Sequence, residues 1–313
     1  MKIRLGYACI SKTLNSITTS TPFTYSEFLR NRDFNKLDQV IKSNLKDLLE
    51  ILKYNIKNSI HFFRISSKLI PLATKADVHF NYYNKYQKYY NNISKIINDN
   101  NLRVDFHPDE FCVLNSTRKE VIKSSISILK YHYKLLKYLK IKNKLLILHI
   151  GSNTFGKENS IKRFINNFNK LPNYLKEVIV IENDDKVFNI IDCINISKQI
   201  NCPIVFDYHH YKCNNNGERI EDFFPIVLKS WQNKTPKIHF SSSKSNLKKE
   251  FRSHNDYIDS NNFIDFLNKI SIYNTDIDIM IEAKQTDNAI FRLLREIKYK
   301  TNYTFLDETT FIV

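Results

Sequence analysis

The sequence contains few of the residues on which several common kinds of site depend. Only four of its 313 residues are glycine, and no GxGxxG follows the first predicted strand, which argues against a Rossmann cofactor site and a P-loop. Five cysteines are present, but they form no CxxC pair. We therefore expect buried thiols in a reducing compartment rather than a disulfide framework or a zinc ribbon.

Long hydrophobic runs are also missing. No stretch approaches the ~18 consecutive apolar residues of a membrane helix, and the first seven residues lack the apolar core of a signal peptide. We therefore expect an intracellular protein that has no transmembrane segment and no membrane partner.

Positive charge is present in excess. The formal net charge is +16 and the isoelectric point is near 9.4. A charge of this size favours a polyanionic partner, either nucleic acid or an anionic membrane surface, although it also keeps a protein soluble. Apolar residues make up 42% of the chain and charged residues 26%, which is the usual balance of a globular protein.

Short β-branched runs alternate with longer amphipathic stretches along the whole chain. Helical periodicity is clearest at 37–52, 119–139, 161–169 and 288–298. Eight β-then-α units predict an α/β fold, a single (β/α)8 TIM-type barrel over residues 1–313, with a doubly wound open sheet as the alternative. The eight predicted strands are 3–8, 60–65, 102–106, 145–150, 177–181, 203–207, 237–240 and 277–281.

Six consecutive predicted strands end in a histidine or a carboxylate. In a barrel these ends meet at one rim, where the active site lies. One such residue is more often structural or a helix cap, but six together predict a shared site. The residues concerned are His107, His149, Glu182, Asp207 with His209 and His210, His239, and Glu282, and His254 follows on the loop after the seventh strand.

Imidazole and carboxylate without thiolate are ligands suited to Zn²⁺, Mn²⁺ or Fe²⁺. The number of candidates exceeds one tetrahedral site and fits two or three ions. Neighbouring ions can promote phosphodiester hydrolysis, and with the positive charge this predicts an enzyme acting on nucleic acid. A sugar isomerase with the same fold, or a basic binding protein whose rim residues are structural, are the alternatives.

Two further segments allow two interpretations each. The loop after the seventh predicted strand carries Lys244, Lys248, Lys249 and Arg252, which suit phosphate contacts but are equally consistent with a solvated loop. In the tyrosine-rich segment 82–90, helical spacing of the apolar residues favours a packed helix stripe over a base-stacking platform.

The strand-end motifs resemble those of the UV-damage endonuclease family, which is related to the apurinic endonuclease IV barrels. The matching fragments include RLGY at 4–7, FRISS at 63–67, HP at 107–108, LH at 148–149, END at 182–184, DYHH at 207–210, KIH at 237–239, HNDYI at 254–258 and MIEAK at 280–284. The resemblance covers most of the chain, and it implies a monomeric hydrolase of DNA repair, found in the cytoplasm or at the site of DNA replication.

The activity implied by this resemblance is nicking of damaged double-stranded DNA on the 5′ side of UV photoproducts and other lesions. A metal-bound hydroxide would attack the phosphodiester and leave a 3′-hydroxyl. An abasic-site endonuclease of the same barrel class is the alternative. Two or three divalent ions are implied, with Mn²⁺ favoured and Zn²⁺ as the second choice. The implied ligands are His107, His149, Glu182, Asp207, His210, Lys237, His239, His254 and Glu282, of which Glu182, Lys237 and His239 are implied to be catalytic.

Lys237 is an unusual member of that set. Residues 237 and 239 share one face of a strand, and an ammonium group among metal ions would be repelled unless its pKa fell. The endonuclease IV pattern has an aspartate two residues before the histidine that corresponds to His254, whereas this chain has Arg252. The resemblance suggests that a carboxylated Lys237 supplies the missing ligand.

The resemblance also implies residues that bind DNA and detect the lesion. Phe111 would push between bases, and Tyr7 would lie on the lesion side. Glu110 occupies a position where the family has glutamine, and a carboxylate near DNA phosphates lowers affinity. The complete implied set is Tyr7, Arg64, Glu110, Phe111, Lys157, Lys244 and Arg252.

Overall fold

Eight parallel strands close into a barrel in the computed structural model, which describes Met1–Val313. The strands follow one another around the barrel in chain order, and β1 closes the ring by pairing with β8 on one side and β2 on the other. The predicted barrel and all eight of its strands are confirmed. Their bounds are β1 Lys2–Ala8, β2 Phe62–Ile65, β3 Arg103–Phe106, β4 Leu146–His149, β5 Ile179–Glu182, β6 Ile204–Asp207, β7 Lys237–Phe240 and β8 Ile277–Ile281.

Two short strands near the end of the chain were not predicted. They are β9 Thr304–Phe305 and β10 Thr310–Ile312, and β10 pairs antiparallel with the first residues of β1. Parallel pairing of β1 with β2 is confined to the other end, at Tyr7 and Ala8. The late strand therefore satisfies backbone groups that the stagger of the barrel leaves unpaired at the start of β1.

Twelve helices surround or connect these strands, and the four segments with helical periodicity all lie in helices. The long helices place their apolar stripe on the barrel, as in α2, where Leu37, Ile41, Leu45 and Leu48 are buried. The bounds are α1 Tyr25–Asn31, α2 Phe34–Lys57, α3 Tyr82–Lys85, α4 Gln87–Asp99, α5 Lys119–Tyr138, α6 Lys157–Asn169, α7 Asn173–Lys176, α8 Ile190–Ile200, α9 Tyr208–Cys213, α10 Ile220–Ser230, α11 Ser260–Ser271 and α12 Thr286–Lys300. None of them is long and apolar enough to cross a membrane.

The tyrosine-rich segment forms α3 and α4 and packs as expected. Tyr86, Tyr90, Ile93 and Ile97 are buried, and the ring of Tyr83 stacks on Tyr138. The tyrosines are therefore part of the layer between helices, as the helical spacing predicted.

The interior of the barrel contains more charge than a typical apolar core. A small apolar cluster of Leu145, Ile147, Val180, Val205 and Trp231 fills one part of it. Elsewhere Asp278 is almost fully buried and accepts hydrogen bonds from both Arg4 and Arg103, at 2.6 Å each. The inward side chains thus form buried ion pairs that begin at the amino-terminal end of the barrel and lead toward the opposite rim.

Candidate metal centre

The predicted strand-end residues meet at the carboxyl end of the barrel. There are three groups of residues whose ligand atoms lie within 4.8 Å of one another. Glu182 belongs to two of the groups and Asp207 to two, so each group shares a residue with the next. They consist of His107, His149 and Glu182; of Glu182, Asp207 and His210; and of Asp207, His239 and Glu282.

Glu182 lies at the centre of this arrangement. Its Oε2 is 2.9 Å from His107 Nε2 and its Oε1 is 2.7 Å from His239 Nδ1, while His149 and His210 lie 3.7 and 3.6 Å away. Burial by itself would raise the pKa of this carboxyl, but the surrounding imidazoles outweigh it and hold the pKa well below its usual range. Glu182 is therefore a buried, ionised group shared by four histidines.

Asp207 uses only one of its two oxygens within the protein. Its Oδ1 accepts the backbone N–H of His210 and so caps α9, and Asn183 holds the backbone of Asp207 through two hydrogen bonds. Its Oδ2 is buried and has no hydrogen-bond partner. Burial raises the pKa of Asp207 to about 8 although the neighbouring His210 opposes the shift. One carboxylate oxygen is thus left available to a ligand.

The residues of this centre fit divalent metal ions. Asp207 Oδ2 is a buried polar atom that lacks a hydrogen-bond partner, which is costly unless a ligand satisfies it. The atoms available to bind a metal ion are carboxylate oxygens and imidazole nitrogens, and none of the three groups contains a thiol. Such ligands suit Mn²⁺, Zn²⁺ and Fe²⁺.

Arg64 connects the centre to the interior of the barrel. Its Nη1 is 2.7 Å from Glu282 Oε1 and its Nη2 donates to His239 Nε2 at 2.7 Å. Burial opposes the charge, but Glu282, Asp105 and Glu182 outweigh it and raise the pKa of Arg64. Arg64 was expected to bind DNA, and the structure places its guanidinium among the candidate metal ligands.

Lys237 lies deeper in the barrel than the three groups. Its Nζ donates to Asp105 Oδ2 at 2.6 Å, and neither side chain has any exposed surface. Burial lowers the pKa of Lys237 to about 8, although Asp105 opposes the shift. The sequence interpretation missed Asp105, yet a signal for it existed, because residues 105 and 107 share one face of their strand.

His254 lies beside the three groups rather than within one of them. Its ring centroid is 6.4 Å from that of His210 and 5.2 Å from that of His209. His209 belongs to none of the three groups, and its Nε2 lies 2.9 Å from the carbonyl oxygen of Phe251, at the loop that carries His254. His209 therefore supports this loop rather than joining the cluster of ligand atoms.

The residues expected to detect the lesion are separated in the structure. Glu110 and Phe111 are exposed on the loop after β3, where Phe111 is 74% exposed. Tyr7 is fully buried between the barrel and α2, and its hydroxyl donates to Asn55 Oδ1. Glu110 and Phe111 thus share one exposed loop, and Tyr7 is not brought to the surface beside them.

Three basic residues expected at a DNA surface are all paired with carboxylates. Lys157 contacts Asp192 at 2.5 Å and Lys244 contacts Glu250 at 2.5 Å. Arg252 Nε donates to Asp185 at 2.7 Å. Because all three cations are partly exposed, such pairs contribute little to stability and can be exchanged for phosphate contacts.

The chain is similar to known proteins over nearly its full length. The profile of the family described as UV-endonuclease UvdE matches residues 3–307. The UV DNA damage endonuclease of Bacillus cereus (strain B4264) is 36% identical over 303 residues, which are 95% of each chain. The crystal structure of SacUVDE is 36% identical, has a TM-score of 0.86, and is matched over 95% of this chain and 98% of its own. Endonuclease IV from Thermus thermophilus shares the fold, with a TM-score of 0.57 and 12% identity over 80% of this chain and 93% of its own.

Proposed function

Because the chain belongs to the UV-endonuclease UvdE family and is a nuclease, we propose that it nicks damaged duplex DNA. The cut lies on the 5′ side of UV photoproducts and other lesions and leaves a 3′-hydroxyl. The reaction depends on two or three divalent ions, with Mn²⁺ favoured over Zn²⁺. The family matches confirm the resemblance seen in the sequence. The type of lesion, the metal and the reaction are what we propose here.

The proposed metal dependence rests on one observation: three overlapping ligand groups lie at the carboxyl end of the barrel. When bound, the ions supply the positive charge and Lewis acidity that phosphodiester hydrolysis needs. The unpartnered Oδ2 of Asp207 supports this proposal. The proposed ligands are His107, His149, Glu182, Asp207, His210, Lys237, His239, His254 and Glu282.

The residues around these ligands hold them in position. Arg64 contacts both Glu282 and His239, so its planar guanidinium fixes the separation of two ligands. Asn183 holds the backbone at Asp207 in the same way. We propose that this rigid surrounding keeps the three groups preorganised for a phosphodiester, so that little reorganisation is needed when the substrate binds.

Lys237 is proposed to be carboxylated in the active enzyme. The ammonium that pairs with Asp105 first loses a proton. The neutral amine then adds to carbon dioxide, a nitrogen–carbon bond forms and a second proton is released, which leaves a carboxylate on the side chain. Arg252 stands where the related pattern has an acidic ligand, and this missing ligand supports the proposal. Peptide masses measured near neutral pH should show the added carbon dioxide, and acid should remove it; unmodified lysine in fully active protein would contradict the proposal.

Lesion recognition is assigned to the loop that carries Glu110 and Phe111. The exposed ring of Phe111 can enter a duplex where damage has weakened stacking. Lys157, Lys244 and Arg252 are proposed to contact phosphates after leaving their carboxylate partners, and the net charge of +16 supports a polyanionic substrate.

The test is nicking of supercoiled plasmid, irradiated or untreated, in the presence of Mn²⁺ or a chelator. We expect nicking of the irradiated plasmid only, loss of nicking with chelator, and loss in His149→Ala. His79→Ala is the matched control, since His79 is exposed and outside the three groups. Nicking of a plasmid with abasic sites alone would favour the abasic-site alternative, and aldose–ketose conversion without nicking would favour a sugar isomerase.

A further inference from the structure

The loop between β4 and α6 presents an aromatic side chain to solvent. Phe155 is 75% exposed, and its backbone has φ +61°, in the left-handed region. This region is strained for a bulky residue and is usually taken by glycine, asparagine or aspartate. Because the ring of Phe155 is exposed, burial in the hydrophobic core does not offset this backbone strain.

The exposure of Phe155 is unusual within this protein. The chain has 22 phenylalanines, and only Phe111 and Phe155 are more than half exposed. Both lie on loops at the carboxyl end of the barrel, after the neighbouring strands β3 and β4. The two exposed rings are therefore placed on the same face as the candidate metal centre.

The backbone around Phe155 is held firmly by the start of α6. The carbonyl of Thr154 accepts hydrogen bonds from Ser160 Oγ, at 3.1 Å, and from the guanidinium of Arg163. The carbonyl of Phe155 accepts from Asn159 Nδ2 at 2.9 Å. These bonds fix the backbone on both sides of the side chain, while the ring itself extends outward.

The loop of Phe155 is also joined to the loop of Phe111. Asn115 Nδ2 donates to the carbonyl of Ser152 at 2.7 Å, and Ser152 N–H donates back to Asn115 Oδ1 at 3.1 Å. Gly151 makes this approach possible, since a Cβ there would lie 2.4 Å from Asn115 Oδ1. Arg163 Nε adds a bond to the carbonyl of Asn115 at 2.8 Å. The two loops thus form one rigid unit with two projecting rings.

We propose that Phe155 is a second base-contacting residue, which stacks on a displaced base beside the position taken by Phe111. This inference rests on the proposed function, because it needs a duplex whose bases have been loosened by damage. A phenyl ring has no polar group with which to contact phosphate, but it can stack on any base. Binding of the base compensates for the strain that the free protein holds at this residue.

The test compares two substitutions of Phe155 that separate strain from stacking. Phe155→Gly removes the ring and relieves the left-handed backbone, whereas Phe155→Tyr keeps a ring. Tyr299→Ala is the control, because Tyr299 is 92% exposed near the end of α12, at the opposite end of the barrel. Affinity is measured by fluorescence anisotropy on irradiated and undamaged duplexes, and thermal unfolding is followed in parallel.

We expect Phe155→Gly to melt at or above the wild-type temperature and to bind the irradiated duplex about five- to a hundredfold more weakly. Phe155→Tyr and Tyr299→Ala should bind like the wild type, and the bound metal should be unchanged in all variants. Wild-type affinity in Phe155→Gly would overturn the inference, and so would a lower melting temperature, which would indicate a packing role. If the wild-type protein does not prefer irradiated DNA, the proposed function fails as well; if it does and Phe155→Gly keeps that preference, only this inference fails.

Discussion

Lys237 and Asp105 form an ion pair at 2.6 Å inside the barrel, and neither side chain is exposed. The pair lies directly below the candidate metal centre, and Arg64 connects the two through contacts with Asp105 at 3.9 Å and with Glu282 at 2.7 Å. A buried pair of this kind has no water to replace a lost partner. The stability of the barrel and the geometry of the centre are therefore coupled.

Asp105→Asn should destabilise the metal-free protein strongly. It removes the counterion that keeps the buried Lys237 protonated, so the side chain must either lose its proton or stay as an unpaired ammonium, which typically costs about 3–5 kcal/mol in the free energy of unfolding. Urea unfolding near pH 7 measures the loss, and Asp105→Asn combined with Lys237→Met should recover most of it. If the single substitution costs less than about 1 kcal/mol, the pair does not hold this part of the barrel together.

Asp207→Asn should separate metal binding from folding. Asparagine still caps α9 through its side-chain oxygen, but the charge that burial disfavours is removed. We expect the metal-free variant to melt at or above the wild-type temperature, while metal content and nicking fall, the latter by at least about a hundredfold. Asp222→Asn, at an exposed pair with Arg219, is the control. Full activity in Asp207→Asn would show that this oxygen is not a ligand.

Arg64→Lys should distinguish an internal role from a contact with DNA. Lysine keeps the charge but cannot contact Glu282 and His239 with one planar group. We expect nicking to fall about tenfold or more while the salt dependence of DNA affinity stays the same. A smaller slope of affinity against salt would instead indicate a lost phosphate contact. Arg118→Lys, at an exposed arginine before α5, serves as the control.

Glu110→Gln should strengthen binding to damaged duplex DNA, because it removes a negative charge from the loop proposed to enter the duplex. The gain should be a few-fold and should be larger at low salt, where the repulsion is less screened. Affinity measured at two salt concentrations tests this, with Glu120→Gln on the exposed surface of α5 as the control. Unchanged affinity would place Glu110 outside the interface.

His132 should make the protein less stable in acid. Its ring is buried, Nε2 has no hydrogen-bond partner, and burial lowers its pKa to about 4. The unfolded chain takes up this proton near pH 6.5 and the folded chain near pH 4, so the free energy of unfolding falls by up to about 3 kcal/mol as the pH drops between these values. His132→Gln should flatten this part of the curve, and His79→Gln should leave it unchanged. An equal slope in both variants would contradict the assignment.

The sequence was sufficient for the barrel because eight short, largely apolar runs alternate with longer stretches of helical period. The same logic located the rim, since parallel strands place their carboxyl ends together. The sequence did not predict β10, because its three residues show little periodicity. They are ordered by pairing with the open edge of β1. Local sequence does not reveal an edge that only the stagger of the closed barrel creates.

The position of Lys237 shows where the reasoning about the site was incomplete. Alternation correctly placed residues 237 and 239 on one face, but a step of two residues moves a side chain about 6–7 Å along the strand. The unmodified ammonium therefore pairs with Asp105 and belongs to none of the three ligand groups; the proposed carboxylation would lengthen this side chain. Tyr7 lies on the outer face of its strand. The alternating residues Ile3, Leu5 and Tyr7 of β1 point toward the helices, and none of them has any exposed surface.

Because Glu182 and Asp207 are each shared between two ligand groups, the binding of one metal ion would depend on the binding of another. A first ion would neutralise a carboxylate that a second would also use, and it would fix a side chain that the second would otherwise have to order. A titration with metal should therefore depart from a simple sum of separate binding curves. By the same linkage, a substitution in either shared residue changes the affinity of two positions at once, so its effect is not additive with that of a neighbour.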